Sequence, residues 1–199
     1  FEIETFYSRF IGMEQPPKSL MRWLYLPEDK LAAVTGGAVF EDGLGKFSAI
    51  RETLRKYYPE DVRIKKIAAR AAKMAQSGQY NYGRCMRRGD TVAAMLALDE
   101  FVRQAISMVY LLNRTYMPYY KWSFRALTAM AERRQEPVLH RICDGLKKLS
   151  ELDCHDEKCV SENIESICAE LVRLLNMQSL SGSADTYMET QGYAIMQGY

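Results

Sequence analysis

Between Val92 and Leu112 the polar residues are Asp99, Glu100, Arg103, Gln104 and Ser107, spaced mostly three and four apart. That spacing puts them on one face of an α-helix. Every other position in the stretch is apolar, so neighbouring elements must cover most of this helix. Gly89-Asp90-Thr91 gives it a start signal, and the pattern runs to about Thr115. Such a helix belongs at the centre of a bundle. Asp99 and Arg103 lie four apart and are placed to pair across one turn.

The rest of the chain reads as the covering helices. Pro16-Pro17 and Pro27 open short stretches at about 18–25 and 28–34, since proline suits a first helical turn. Thr35-Gly36-Gly37 ends the second, and Glu41-Asp42-Gly43-Leu44-Gly45 is a turn. A helix from Phe47 to Tyr58 buries Ile50, Leu54 and Tyr57. The next starts at Pro59-Glu60-Asp61, with acids where the helix dipole favours them. Its buried face is Ile64, Ile67, Ala68, Ala71 and Ala75, and Ser77-Gly78 interrupts or bends it. Further helices are expected over Tyr119–Ala131, Pro137–Leu152 and Ser161–Met177. Cys154–Val160 reads as a polar loop, Ser179–Asp185 as a Ser/Gly turn, and a last amphipathic stretch reaches Tyr199. Short loops between such helices imply an all-α, up-and-down bundle.

Residues 1–7 break this pattern. Phe1, Ile3 and Thr5 alternate with Glu2, Glu4 and Phe6, a period-two, strand-like signal. A lone strand is unstable, so it implies a sheet outside these residues. The chain also opens without methionine and closes on Gly198-Tyr199, so it reads as a fragment. The expected division is 1–15 as the tail of an upstream domain and 16–199 as the helical domain. No run of about 18 apolar residues is present to span a membrane, and the N-terminus has no signal-peptide pattern. Five cysteines without a secretory signal read as free thiols in a cytoplasmic protein.

Charge is distributed unevenly. Net charge is +2, yet the segment from Val62 to Gly89 carries eight basic residues and no acidic one. These are Arg63, Lys65, Lys66, Arg70, Lys73, Arg84, Arg87 and Arg88. Arg63, Lys66, Arg70 and Lys73 fall on one stripe, and Gly78-Gln79-Tyr80-Asn81-Tyr82-Gly83 reads as a turn between the two basic groups. Tyr80 and Tyr82 could stack on a base, while Gln79 and Asn81 could bond its edge. Arg84, Arg87 and Arg88 could grip phosphate. A solvated helix face is the competing reading. A second cluster, Tyr119-Tyr120-Lys121-Trp122, could wall a pocket or pack the end of the bundle.

Several stretches carry a resemblance. They include Phe6-Tyr7-Ser8-Arg9-Phe10-Ile11-Gly12, Tyr58-Pro59-Glu60-Asp61-Val62-Arg63 and Lys65-Lys66-Ile67-Ala68-Ala69-Arg70. Gln76-Ser77-Gly78-Gln79-Tyr80-Asn81-Tyr82, Tyr110-Leu111-Leu112-Asn113 and Tyr119-Tyr120-Lys121-Trp122 add to it. Over roughly residues 5–125 the chain resembles the C-terminal helical domain of a bacterial family of unknown function. In that family the domain follows a nucleotidyltransferase-like domain, an arrangement similar to kanamycin nucleotidyltransferase. The resemblance implies a substrate-binding bundle beside an α/β domain whose paired acids hold Mg²⁺. It implies no cofactor held by this chain and no catalysis by this chain alone.

The expected function is therefore to bind nucleotide phosphates or an acidic acceptor through Arg63, Lys66, Arg70, Arg84, Arg87 and Arg88. Gln79, Tyr80, Asn81, Tyr82, Lys121 and Trp122 complete the candidate set. Nucleic acid is a less favoured partner. A non-catalytic binding module, such as a homodimer, is the alternative. Three weaker signals are also present. Glu2 or Glu4 could be a third metal carboxylate, Cys154-His155 with Cys159 could form a zinc loop, and Arg134 with His140 resembles a HEPN-type ribonuclease motif.

Overall fold

The computed structural model describes residues 2–198, and helices make up all of their regular secondary structure. The first is α1 (Ile3–Ile11), where a strand was expected. Tyr7 and Ile11, four apart, are its buried residues, and the Phe6, Phe10 and Phe47 rings cluster beside Tyr7. The Tyr7 hydroxyl donates to the Phe47 carbonyl at 3.1 Å. Those contacts outweigh the short alternation, part of which rested on Phe1, outside the described residues. Gly12 ends α1 in the left-handed region, at φ 68°.

Three short helices follow, α2 (Leu20–Tyr25), α3 (Glu28–Thr35) and α4 (Lys46–Arg55). Ser19 caps α2 through its side chain. Pro27 precedes α3, and Glu28 and Asp29 fill its first turn. Tyr57 has φ 75°, so α4 ends before the expected Tyr58. Arg51 is buried and ties the end of α3 to α4 by donating to the Thr35, Gly36 and Gly37 carbonyls.

The centre is α5 (Glu60–Met74) against α7 (Thr91–Leu112). Asp90 caps α7 as expected, accepting from Ala93 N. The two helices run antiparallel, since Arg63 meets Leu111, Arg70 meets Ser107 and Lys73 meets Glu100. Between them the chain forms a π-helix (Ala75–Tyr82) and the short α6 (Gly83–Arg87), where a turn was expected. A Cβ on Gly78 would lie 2.3 Å from the Phe101 ring, so only glycine permits this approach.

The remaining helices are α8 (Tyr120–Arg134), α9 (Pro137–Glu151), α10 (Glu157–Met177) and α11 (Met188–Gln197). Asp156 caps α10 and starts it inside the expected Cys154–Val160 loop. Gly145 lets α9 approach Ile167 of α10. The alanines of α5 receive α11, with Gly192 lying against Ala68 and Ala71. Helix α5 is thus covered by α7 on one side and α11 on another. Among the described residues no helix is long and apolar enough to cross a membrane.

Candidate functional site

The first half of the basic segment lines a cleft of about 850 Å³. Helix α5 contributes Lys65, Lys66, Arg70 and Lys73. Helix α7 faces them with Arg103, Gln104 and Ser107. Tyr25, Glu28 and Asp29 come from the α2–α3 junction, and Tyr119 and Tyr120 from the start of α8. Two clusters far apart in the sequence, the cationic stripe and the aromatic run after Pro118, therefore share one cavity.

Its floor is a bonded charge network. Glu28 is buried, with 8% of its surface exposed. Arg70 donates to Glu28 Oε1 at 3.0 Å and to Ser107 Oγ at 2.8 Å. Ser107 in turn donates to Glu28 Oε2 at 3.1 Å. Each polar atom thus holds the next in place, and the Arg70 guanidinium is fixed in direction. The Lys66 ammonium lies 3.9 Å from Glu28 Oε1 and 5.0 Å from the Tyr58 ring centroid. Burial pulls the Lys66 pKa down from its ordinary value, Glu28 opposes that fall, and Arg70 adds to it. Burial, then Glu28, pushes the Tyr58 phenol up, and its buried hydroxyl has no hydrogen-bond partner.

The upper walls are more open. Lys65, Lys73 and Arg103 are exposed. Lys73 reaches Glu100 at 3.5 Å, and Gln104 Nε2 donates to the same carboxylate at 2.9 Å. The expected Asp99–Arg103 pair is not among the ion pairs of the described residues, and Arg103 lines the cleft instead. Five cations against two carboxylates leave the cavity positive, in a concave setting that concentrates the field.

Other expected residues have different surroundings. Arg63 is buried and turned to the end of the bundle. It bonds Glu60 at 2.6 Å and the Leu111 carbonyl at 3.4 Å. Arg114 meets the same Glu60 at 2.7 Å, and the hydrogen bonds from Arg63 hold the Glu60 carboxyl below its usual range. Gln79 is also engaged within the protein. Its Nε2 donates to Glu165 and to the Thr186 carbonyl, and its Oε1 accepts from Met188 N. Tyr82 is fully buried, donating to the Cys154 carbonyl at 2.9 Å, so its ring is not free to stack. Arg84 bonds the hydroxyl of the exposed Tyr80, and Arg87 pairs with Glu157 at 2.7 Å. Arg88 is exposed. Lys121 and Trp122 are exposed beside the tyrosine pair but do not line the cleft. Asn81 lines a separate groove behind Lys73.

The weaker signals separate as well. Asp153, Cys154 and His155 place three possible ligand atoms within 4.8 Å of one another, in an exposed turn where His155 Nδ1 lies 3.0 Å from Asp153 Oδ1. Cys159 is outside that set, and Cys143 is buried, which pushes its thiol up to about 11. Arg134 donates to the Asn113 carbonyl at 3.1 Å, while His140 is exposed on α9. Glu2 and Glu4 are exposed at the start of α1.

Sequence pattern did not mark Glu28, Arg103, Gln104 and Ser107 as site residues. The polar stripe of α7 already held three of them. Glu28 had a signal only as a first-turn acid after Pro27.

Residues 23–123 match the family described as Domain of unknown function (DUF4037). Every residue lining the cleft falls inside that span. No curated protein and no solved structure matches the chain.

Proposed function

The chain belongs to the DUF4037 family, and we propose that it binds the phosphates of a nucleotide, or a comparable acidic acceptor, in the cleft between α5 and α7. The observation that carries this reading is the convergence of Lys65, Lys66, Arg70, Lys73 and Arg103 on one concavity with Tyr119 and Tyr120 at its mouth. Lys66 and Arg70 form the floor and are partly desolvated, so a phosphate there meets charges that water screens weakly. Tyr119 and Tyr120 are 47% and 66% exposed and pack on each other at 4.6 Å between ring centroids, and the outer surface of the pair can receive a base. A concave site of this size suits a small ligand better than a polymer. In this reading the bundle is the substrate-binding partner of a nucleotidyltransferase-like domain, and the Mg²⁺ and paired acids of transfer belong to that domain.

Titration calorimetry with adenosine diphosphate tests the reading. Binding that weakens as salt rises, and that Arg70→Ala reduces about 30-fold, is expected from the loss of one charge-assisted contact. Absence of heat at millimolar nucleotide would sink it.

A second reading has its own observation. Val92, Met95 and Leu96 are all more than half exposed on one side of α7, and an apolar strip of that kind suits association. A binding or self-associating module predicts a concentration-dependent sedimentation coefficient that Leu96→Glu abolishes.

A further inference from the structure

The cleft does not stop at Lys73. That residue also lines a second groove, of about 440 Å³, together with Gln76, Ser77, Asn81, Ala97 and Glu100. Because α5 and α7 are antiparallel, the two cavities follow one another along the helix pair in a fixed order and share Lys73. Tyr119 and Tyr120 lie at one end, Lys66 and Arg70 in the middle, Lys73 at the joint, and the carboxamides of Gln76 and Asn81 at the far end. We propose that the far groove is a second subsite, which takes the hydroxyl-bearing part of a ligand whose phosphate lies in the cleft. This proposal rests on the anionic reading of the cleft.

The π-helix is what builds the groove. In an α-helix, positions five apart diverge by about 140°. A π-helix closes its hydrogen bonds from i to i+5, so positions five apart come round to one side. Gln76 and Asn81 are five apart in the segment around the π-helix Ala75–Tyr82, and both line the groove. The π-helix is held from three directions. Gly78 sits against Phe101, Gln79 is bonded to α10 and the start of α11, and the Tyr82 hydroxyl reaches the Cys154 carbonyl.

The groove's chemistry suits hydroxyls. The side-chain amides of Gln76 and Asn81 make no hydrogen bond among the described residues, so each offers a donor and an acceptor. Ser77 Oγ donates to the Lys73 carbonyl at 2.7 Å and keeps its lone pairs. Glu100 uses Oε1 for both Gln104 and Lys73, which leaves Oε2 for a ligand donor. On the cleft side of Lys73, Gln104, only 7% exposed, has an Oε1 that is buried without a partner. The Lys73–Glu100 pair is half exposed and weak, so a phosphate can take Lys73 while a hydroxyl takes Glu100. Aromatic, cationic, then amide is the order of parts in a nucleoside joined through phosphate to an alcohol.

Calorimetry with adenosine diphosphate and adenosine diphosphate ribose tests this on the whole chain. The ribose conjugate is expected to bind about tenfold tighter, the increment of two hydrogen bonds. In the Gln76→Ala/Asn81→Ala variant the two ligands should bind equally, with adenosine diphosphate affinity unchanged. Both residues face the groove rather than the core, and an unshifted melting temperature would confirm that the variant is folded. Equal binding by the wild type, or a preference that survives the double substitution, overturns the subsite and leaves the cleft reading standing. If neither ligand binds, the cleft reading falls and takes the subsite with it.

Discussion

The two halves of the basic segment are neighbours in sequence with similar charge, yet they end in different roles. On α5, Lys65, Lys66, Arg70 and Lys73 follow helical spacing and face the polar stripe of α7 across a cavity. In the π-helix and α6, Arg84 lies on Tyr80, Arg87 on Glu157, and Gln79 and Tyr82 serve as ties to distant helices. Cationic density in a sequence thus does not by itself make a positive cavity. Concavity is needed as well, and it depends on what stands opposite. Arg63 makes the point within α5 itself, since it belongs to the same stripe but meets Glu60 and Leu111 and is consumed there.

If the second half is a structural anchor, breaking it should cost stability before it costs affinity. Gly78→Val drives a side chain into the Phe101 ring, where a Cβ alone would come within 2.3 Å. The expected loss is about 3 kcal/mol, typical of overpacking at a rigid contact, read as a lower urea midpoint with an unchanged slope. A loss below about 0.5 kcal/mol would mean that the π-helix is free to shift. Arg70→Ala is the complementary substitution in the first half. It is expected to remove about 2 kcal/mol of the proposed nucleotide binding and to free the buried Glu28 carboxylate from its nearest cation. Glu28→Gln/Arg70→Met should restore stability without restoring affinity, which separates the two losses.

The fold was legible where its signals were local. Pro27, Pro59 and Pro137, the Asp90 cap and the stripe of α7 placed most helices to within a few residues. The errors share a cause. Helix α1 is short, and the contacts of Tyr7 with Phe47, forty positions away, decide its state. The π-helix depends on Phe101, Glu165 and Met188, none of which its own residues announce. The site was half legible for the same reason. Lys66 and Arg70 stood out as charge, and Tyr119 and Tyr120 as aromatics. Glu28 reaches Arg70 across 42 positions and Ser107 across 79, and no spacing rule joins them.

Lys66 sharpens the comparison from inside the cleft. Its ammonium is buried without close hydrogen bonds, and burial lowers its pKa. Removing that charge should help folding and harm binding. Lys66→Met is expected to stabilise the free protein by about 1 kcal/mol and to weaken adenosine diphosphate binding several-fold. The pH dependence has a fixed sign. The folded pKa lies below the unfolded 10.5, so between the two the unfolded chain holds more protons. Wild-type stability therefore rises with pH through that window, and its deficit against Lys66→Met shrinks. Nucleotide affinity should fall over the same range as the ammonium is lost. Chemical denaturation of both proteins from neutral to alkaline pH reads the first trend, and calorimetry the second. A deficit that does not change with pH would mean Lys66 is adequately paired by Glu28.

The smallest expected effect discriminates most sharply between the two halves. Arg87→Ala/Arg88→Ala removes two of the charges that made the segment conspicuous in the sequence. In the structure Arg87 is an exposed partner of Glu157 and Arg88 is exposed, and neither lines the cleft. An exposed pair contributes at most about 1 kcal/mol, so the melting temperature should move by a degree or two. Screening limits the reach of these charges to about 8 Å at physiological ionic strength, so nucleotide affinity should stay within about twofold at that salt. At low salt a slightly larger loss is expected, because the longer screening length lets the whole segment contribute to the field. A tenfold loss at physiological salt would put phosphate recognition on α6, and the division between the two halves would have to be redrawn.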